Sequence, residues 1–188
     1  MNVADLHAGT TNPRRSGRVA QRFDSLAGTF SRIPESAIQL LARVSIALTF
    51  WTSGQTKIDG LVLDPIGWNV ELGLPHVSDS AIELFRSEYA LPLIPPEWAA
   101  LMASTAEHVF PLLLVLGLAT RLSAFALLVM TLVIQVFVYP DAYPTHGLWA
   151  AVLLYLMARG AGVVSLDRLA LQRAGERAGQ RGPRRAAR

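Results

Sequence analysis

The stretch WAALMASTAEHVFPLLLVLGL, Trp98 to Leu118, is an apolar run with one acid–base pair, Glu107 and His108, set in its middle. A helix that crosses a bilayer needs roughly 20 predominantly apolar residues at about 1.5 Å rise each, and this run meets that length. A charged side chain near the bilayer centre costs at least about 2.5 kcal/mol on insertion scales, so Glu107 should face a protein interior or a wet cavity. Its helix face agrees. Ala100, Ala103, Ser104, Glu107, Pro111 and Leu114 form a stripe of small or polar side chains that permits close helix approach. Pro111 removes the hydrogen bond to the carbonyl of residue 107 and loosens the backbone beside the carboxylate.

Composition fits a membrane chain. Of 188 residues, 52% are hydrophobic and 16% charged, and mean hydropathy is +0.35, too apolar for an ordinary soluble domain of this size. The chain has no cysteine, which excludes disulfides, thiolate metal sites and thiol redox chemistry of its own. Its pI of about 9.8 does not point to nucleic acid, because the basic residues gather at the two ends. Arg14, Arg15, Arg18, Arg22 and Arg32 lie before the first apolar segment; Arg177, Arg181, Arg184, Arg185 and Arg188 close the chain. The opening residues lack the apolar core and small-residue cleavage site of a secretory signal.

Outward from the central run, the pattern predicts three more spans. Ile38 to Thr56 follows a helix start at Pro34, Glu35 and Ser36. Arg43, Ala47, Phe50, Gly54 and Lys57 share one of its faces. Arg43 is expected to snorkel to the inner headgroups; Lys57, the only lysine, either snorkels outward or belongs to a site at the outer surface. Leu122 to Val138 is the third span, with Thr131 and Gln135 on one face. Thr145 and His146 open the fourth, which ends in Arg159.

Between the first two spans, residues 59–97 carry Asp64, Glu71, Asp79, Glu83, Glu88 and Glu97 against Arg86 alone. This reads as a long polar outer connection. Within it, Ser80 and Glu83 form a capping-box pattern, and Ile82, Phe85 and Tyr89 predict a short amphipathic helix on the outer membrane surface. With basic ends on one side and the acidic loop on the other, both termini are expected in the cytoplasm.

The expected fold is all-α, a transmembrane four-helix bundle with disordered basic termini. Residues 1–33 form a basic arm. A membrane domain occupies 34–164, with spans at about 38–57, 98–118, 121–138 and 145–159 and the outer loop at 59–97. Residues 165–188 hold an interfacial helix and a basic tail. The small-residue face at Ala100, Ala103 and Ser104 would serve an intramolecular bundle or a homo-oligomer equally well.

Several of these segments resemble the DoxX family of small four-helix membrane proteins. The resemblance rests on Arg43, Phe50, Ser53, Gly54 and Lys57, on the run Glu107 to Gly117, on Ala119-Thr120-Arg121, and on Val164-Ser165-Leu166-Asp167. It implies a redox association in the bacterial inner membrane, since founding relatives are subunits of thiosulfate:quinone oxidoreductase or terminal quinol oxidase systems. The stretch Val138 to Gly147 is similar to a subgroup encoded beside iron enzymes that modify metal-stress peptides.

On that reading Glu107 and His108 are the catalytic candidates, with Glu107 exchanging protons with a quinone headgroup. Lys57, Gln135 and His146 are candidate cofactor-binding residues. Quinone reduction takes up protons with electrons, which a desolvated carboxylate can relay. The bland alternative ties Glu107 to Ser104, Thr131 or Arg43 as a packing contact. His108 points about 100° away from Glu107 on the helix. No metal site is expected, because Met102, Met130 and Met157 show no clustering with the histidines, and the depths of His108 and His146 differ too much for a shared haem. No covalent cofactor motif is present. Expected partners are membrane lipid and a redox or biosynthetic protein, not nucleic acid. The resemblance thus implies a quinone-linked redox subunit, or else a non-catalytic membrane partner or assembly factor.

Overall fold

In a computed structural model, Gly28 and residues 32–181 are described, with side chains as far as Arg173. The expectations for the basic arm and for the last seven residues therefore lie largely outside the described residues. Backbone contacts divide the chain into Met1–Pro34 and Glu35–Arg188; all that follows lies in the second unit.

Helix α1, Glu35–Gln55, starts as its sequence predicts, with an acid in the first turn after a proline. It buries Gln39, Arg43, Ile46, Ala47, Phe50 and Gly54, one face at three- and four-residue steps. Helix α3, Pro96–Leu116, has proline at its start and ends on Gly117, whose φ of 66° supplies the left-handed cap. It buries Ala100, Ser104, Glu107, Pro111 and Leu114, and leaves Leu101, Leu112 and Val115 exposed. Helix α4, Thr120–Val133, continues in wider turns over Ile134–Val138. After the turn Pro140–Ala142 comes α5, Tyr143–Arg159, and then α6, Leu166–Arg181.

Helices α1, α3, α4 and α5 share one core: Ile46, Ala47 and Phe50 meet Leu114, Ala124, Leu127, Leu153 and Leu156. The outer faces are apolar as well, as Leu122, Phe125, Leu132 and Leu154 are each more than half exposed. By length and composition, Pro96–Leu116 and Thr120–Val138 are apolar enough to cross a membrane. An apolar exterior around a core with polar members is the arrangement a lipid solvent selects.

The fold is mostly helical but not all-α. Residues expected as a continuous polar loop form an antiparallel hairpin, β1 Ile58–Asp64 and β2 Asn69–Val77, pairing Leu63 with Val70, Leu61 with Leu72 and Ile58 with Val77. Its alternation of apolar and polar residues is a strand signal that the acid content of the segment obscured. The turn is held by Asp64, which accepts from the Ile66 N–H at 2.9 Å; the Gly67 and Ile66 N–H groups hold this carboxyl below the usual carboxylate range. The hairpin docks on α1, where Trp51 Nε1 donates to the Leu63 carbonyl and the Leu63 N–H donates to Gln55 Oε1, both at 2.7 Å.

The short helix predicted in this segment exists as α2, Asp79–Leu84, extended in wider turns to Tyr89. Its cap is Ser78, whose Oγ accepts from the Ala81 N–H at 3.1 Å, not Ser80. Its apolar face meets protein, as Phe85, Ile82 and Tyr89 pack on Ala99, Ala100 and Ala103 of α3.

Arg43 corrects a second expectation. It does not snorkel to the inner headgroups but is 1% exposed, donating to the carbonyls of Ala161 at 2.7 Å, Val164 at 2.9 Å and Val115 at 3.4 Å. Gly117 makes the room, since a Cβ there would lie 2.5 Å from Arg43 Nη1. Beside it, Asp167 accepts from the N–H groups of Ala119 at 2.9 Å and Thr120 at 3.1 Å and so caps α4 from 47 residues away. Arg43→Met strands the buried Ala161 carbonyl and removes donors from two partly buried ones, whereas Asp167→Ala removes a cap worth about 1 kcal/mol. Thermal unfolding in detergent is expected to show a clearly larger fall in melting temperature for Arg43→Met.

Candidate functional site

At the hairpin end of the core lies a cavity of about 380 Å³, within the range of small-molecule sites. Phe50, Ser53 and Lys57 reach it from α1 and its C-terminal turn, and Met102, Ala106 and Glu107 from α3. Met130 and Ile134 line it from the α4 segment, His146 and Trp149 from α5, and Phe85, Tyr89 and Leu91 roof it. The lining is predominantly apolar, so its few polar groups decide what it can hold.

Three of them form one cluster. Glu107 is 2% exposed and Lys57 5%. Lys57 Nζ lies 2.8 Å from Glu107 Oε2, while its well-angled hydrogen bonds go to Ser53 Oγ at 2.9 Å and the Ser53 carbonyl at 3.1 Å. Ser53 Oγ in turn donates to Glu107 Oε1 at 3.1 Å. Oε2 therefore has an ionic neighbour but receives no hydrogen bond of good geometry. Gly54 brings α1 and α3 together here, because a Cβ at this position would stand 3.0 Å from Glu107 Cβ and 2.8 Å from the His108 ring.

His108 faces the other way. Its Nδ1 lies 2.6 Å from the Ser104 carbonyl, which can only accept, so Nδ1 carries the proton. Nε2 then accepts from Gln55 Nε2 at 2.8 Å, an amide oriented by its bond from the Leu63 N–H. With Trp51 edge-on at 5.0 Å, His108 belongs to a separate groove between α1, α3 and the hairpin. The sequence pair Glu107–His108 is thus split between two sides of α3.

His146 lines the Glu107 cavity. Gln135 Nε2 donates to the Pro140 carbonyl at 2.6 Å, which turns its Oε1 toward His146 Nδ1 at 2.8 Å. Nδ1 is then the donor, and Nε2 has no hydrogen bond to protein among the described residues. The structure joins Lys57 to Glu107 and Gln135 to His146. The first pair and His146 touch one cavity, and His108 stands apart from it.

Ser53, Tyr89 and Tyr139 were not among the site candidates drawn from the sequence. Ser53 stands four residues before Lys57, a helical spacing that could have found it. The tyrosines gave no local signal, being 50 residues apart; their rings meet at 5.8 Å. The Tyr139 hydroxyl donates to Glu88. That bond, together with burial, holds the Tyr139 phenol above its ordinary range, and burial does the same for Tyr89. Both remain neutral donors at the cavity mouth.

The DoxX family model matches residues 38–140, a range that contains Lys57, Glu107, His108 and Gln135 but not His146. An uncharacterized protein of Haemophilus influenzae is 29% identical over 140 residues, covering 69% of this chain and 81% of that protein. No solved structure gives a significant match.

The ion pair should be strongly coupled, because removing one partner leaves a buried charge. Lys57→Met and Glu107→Gln are each expected to destabilise the protein, and the double variant by less than their sum, with a coupling of about 1–3 kcal/mol in a thermal-unfolding cycle.

Proposed function

The chain belongs to the DoxX family, and on that premise we propose that this membrane protein is a quinone-linked redox subunit of the bacterial inner membrane. In this reading it is a four-span bundle with both termini in the cytoplasm, and its cavity receives the headgroup of a quinone. The observation that carries the proposal is the Lys57–Ser53–Glu107 cluster at the polar end of an otherwise apolar cavity.

The polar set, with both donors and an acceptor, suits a ring whose oxygens alternate between carbonyl and hydroxyl. Lys57 offers an ammonium, His146 an uncommitted Nε2, and Glu107 an Oε2 that accepts no hydrogen bond. A bound quinone would supply a carrier of two electrons and two protons. Glu107 would hold and pass a proton at Oε2, with Lys57 beside it stabilising negative charge on a neighbouring oxygen. Phe50, Met102 and Trp149 exclude water and strengthen these interactions. Gln135 orients His146 and is a positioning residue. His108 has no part in this chemistry; it fastens Gln55 and, through it, the hairpin. Electrons come from a partner oxidoreductase, since the chain has no thiol couple of its own.

A second reading, a non-catalytic partner or assembly factor for a redox or biosynthetic enzyme, is favoured by the hairpin. Trp68, Leu72 and Leu74 are 90%, 81% and 89% exposed, an apolar surface of the kind that marks a contact site.

Quinone extracted from the purified protein, and its reduction with the partner system, separate the two. The first reading predicts bound quinone in the wild type and, once the quinone is reduced, at least about a tenfold weaker retention of the quinol in folded Glu107→Gln, because a quinol hydroxyl donates to the Glu107 carboxylate, a hydrogen bond to a charged group. Absence of quinone from both proteins, with full activity of the partner system in the variant, would contradict it.

A further inference from the structure

At the opposite end of the bundle from the Glu107 cavity, a cleft of about 1110 Å³ opens between the start of α4, the end of α5 and α6. Three arginines from three elements line it: Arg121 in the first turn of α4, Arg159 at the last position of α5 and Arg168 in the first turn of α6. We infer that this cleft binds the phosphodiester of an anionic phospholipid, with the guanidinium groups of Arg121, Arg159 and Arg168 as donors.

The protein leaves most of these donors uncommitted. A guanidinium offers five N–H groups in a planar fork that matches phosphate. Arg121 makes one long bond, from Nη2 to the Ala158 carbonyl at 3.5 Å. Arg159 meets Glu35 through Nε at 3.2 Å, with both side chains more than half exposed. The Arg168 side chain has no hydrogen bond or ion pair among the described residues.

Two carboxylates line the same cleft, and both are occupied. Glu35 is paired with Arg159. Asp167 has both oxygens on the backbone N–H groups of Ala119 and Thr120. Three cations against these two engaged anions leave the cleft positive, and Asp167 closes the start of α4 to any other anion. The phosphate is therefore a ligand for the arginines, not for the helix end.

The rim identifies the source of the phosphate. Leu122, Val163 and Leu171 are 63%, 51% and 73% exposed around the cleft. A soluble phosphate gains nothing from such a rim, whereas acyl chains would cover it. Basic pockets at helix ends facing the anionic leaflet are where lipid headgroups are retained.

The test measures lipid retention by full-length protein in detergent micelles, by native mass spectrometry. Phosphatidylglycerol, phosphatidylcholine and inorganic phosphate are the three probes. The variants are Arg121→Gln and Arg168→Gln, with Arg173→Gln, exposed and outside the cleft, as control. Phosphatidylglycerol is expected to bind at least about tenfold more tightly than phosphatidylcholine, and each cleft substitution to weaken it about fivefold. The control should leave it unchanged, and millimolar phosphate should not displace it. Should Arg121→Gln fail to fold, Arg168→Gln, on an exposed helix surface, decides alone. Equal retention of the two lipids, or an equal loss in the Arg173→Gln control, would overturn the inference by reducing the cleft to a generally basic end. Displacement by inorganic phosphate would overturn the lipid assignment.

Discussion

Everything at the hairpin end depends on the buried contact between Lys57 and Glu107. Taking two charges out of water costs several kcal/mol for each ion, and only good geometry with additional hydrogen bonds offsets it. Ser53 supplies those bonds by accepting from Lys57 and donating to Glu107. The contact needs α1 and α3 close together, which Gly54 permits. It also needs the chain to turn after Gln55 so that Lys57 points inward, which the bond from the Lys57 N–H to the Gly54 carbonyl secures. The hairpin and the α2 roof follow from that turn. The hydrogen bond from the Ser78 N–H to the Lys57 carbonyl returns the chain to the point it left.

The other end of α1 is fixed by the same means with different groups. Arg43 gathers carbonyls from the end of α3 and from the segment after α5, as Asp167 gathers N–H groups from the start of α4. Along α1, ten residues separate Arg43 from Ser53, a rise of about 15 Å, and the apolar core fills the interval. In a lipid solvent, where apolar burial between helices has little driving force, such polar fastenings and close small-residue contacts hold helices in register. The division of labour is physical. Arg43 spends both terminal nitrogens on backbone carbonyls, whereas Glu107 borders a cavity with an oxygen that receives no hydrogen bond.

Much of this was legible in the sequence. A carboxylate amid small residues in an apolar run announced its own burial, and the helical spacing of Arg43, Phe50 and Lys57 placed them on one face. What was not legible depended on long-range closure. Nothing local to Lys57 says that a carboxylate 50 residues later will face it rather than solvent. The Ala119-Thr120-Arg121 and Val164-Ser165-Leu166-Asp167 segments could be noticed separately, yet that Asp167 caps the helix begun by Thr120 is visible only in three dimensions. His108 misled by adjacency, since neighbours on a helix diverge by about 100° and do not share a site. The hairpin was hidden because charge, not alternation, was the stronger feature of its residues.

Photoaffinity labelling with an azido-quinone, followed by mapping of the modified residues, tests the central claim most directly. The account predicts label on cavity-lining residues such as Met102, Tyr89 and Trp149, abolished by excess unmodified quinone. Label spread over the exposed faces at Leu112, Phe125 and Leu154, and indifferent to that competitor, would contradict it.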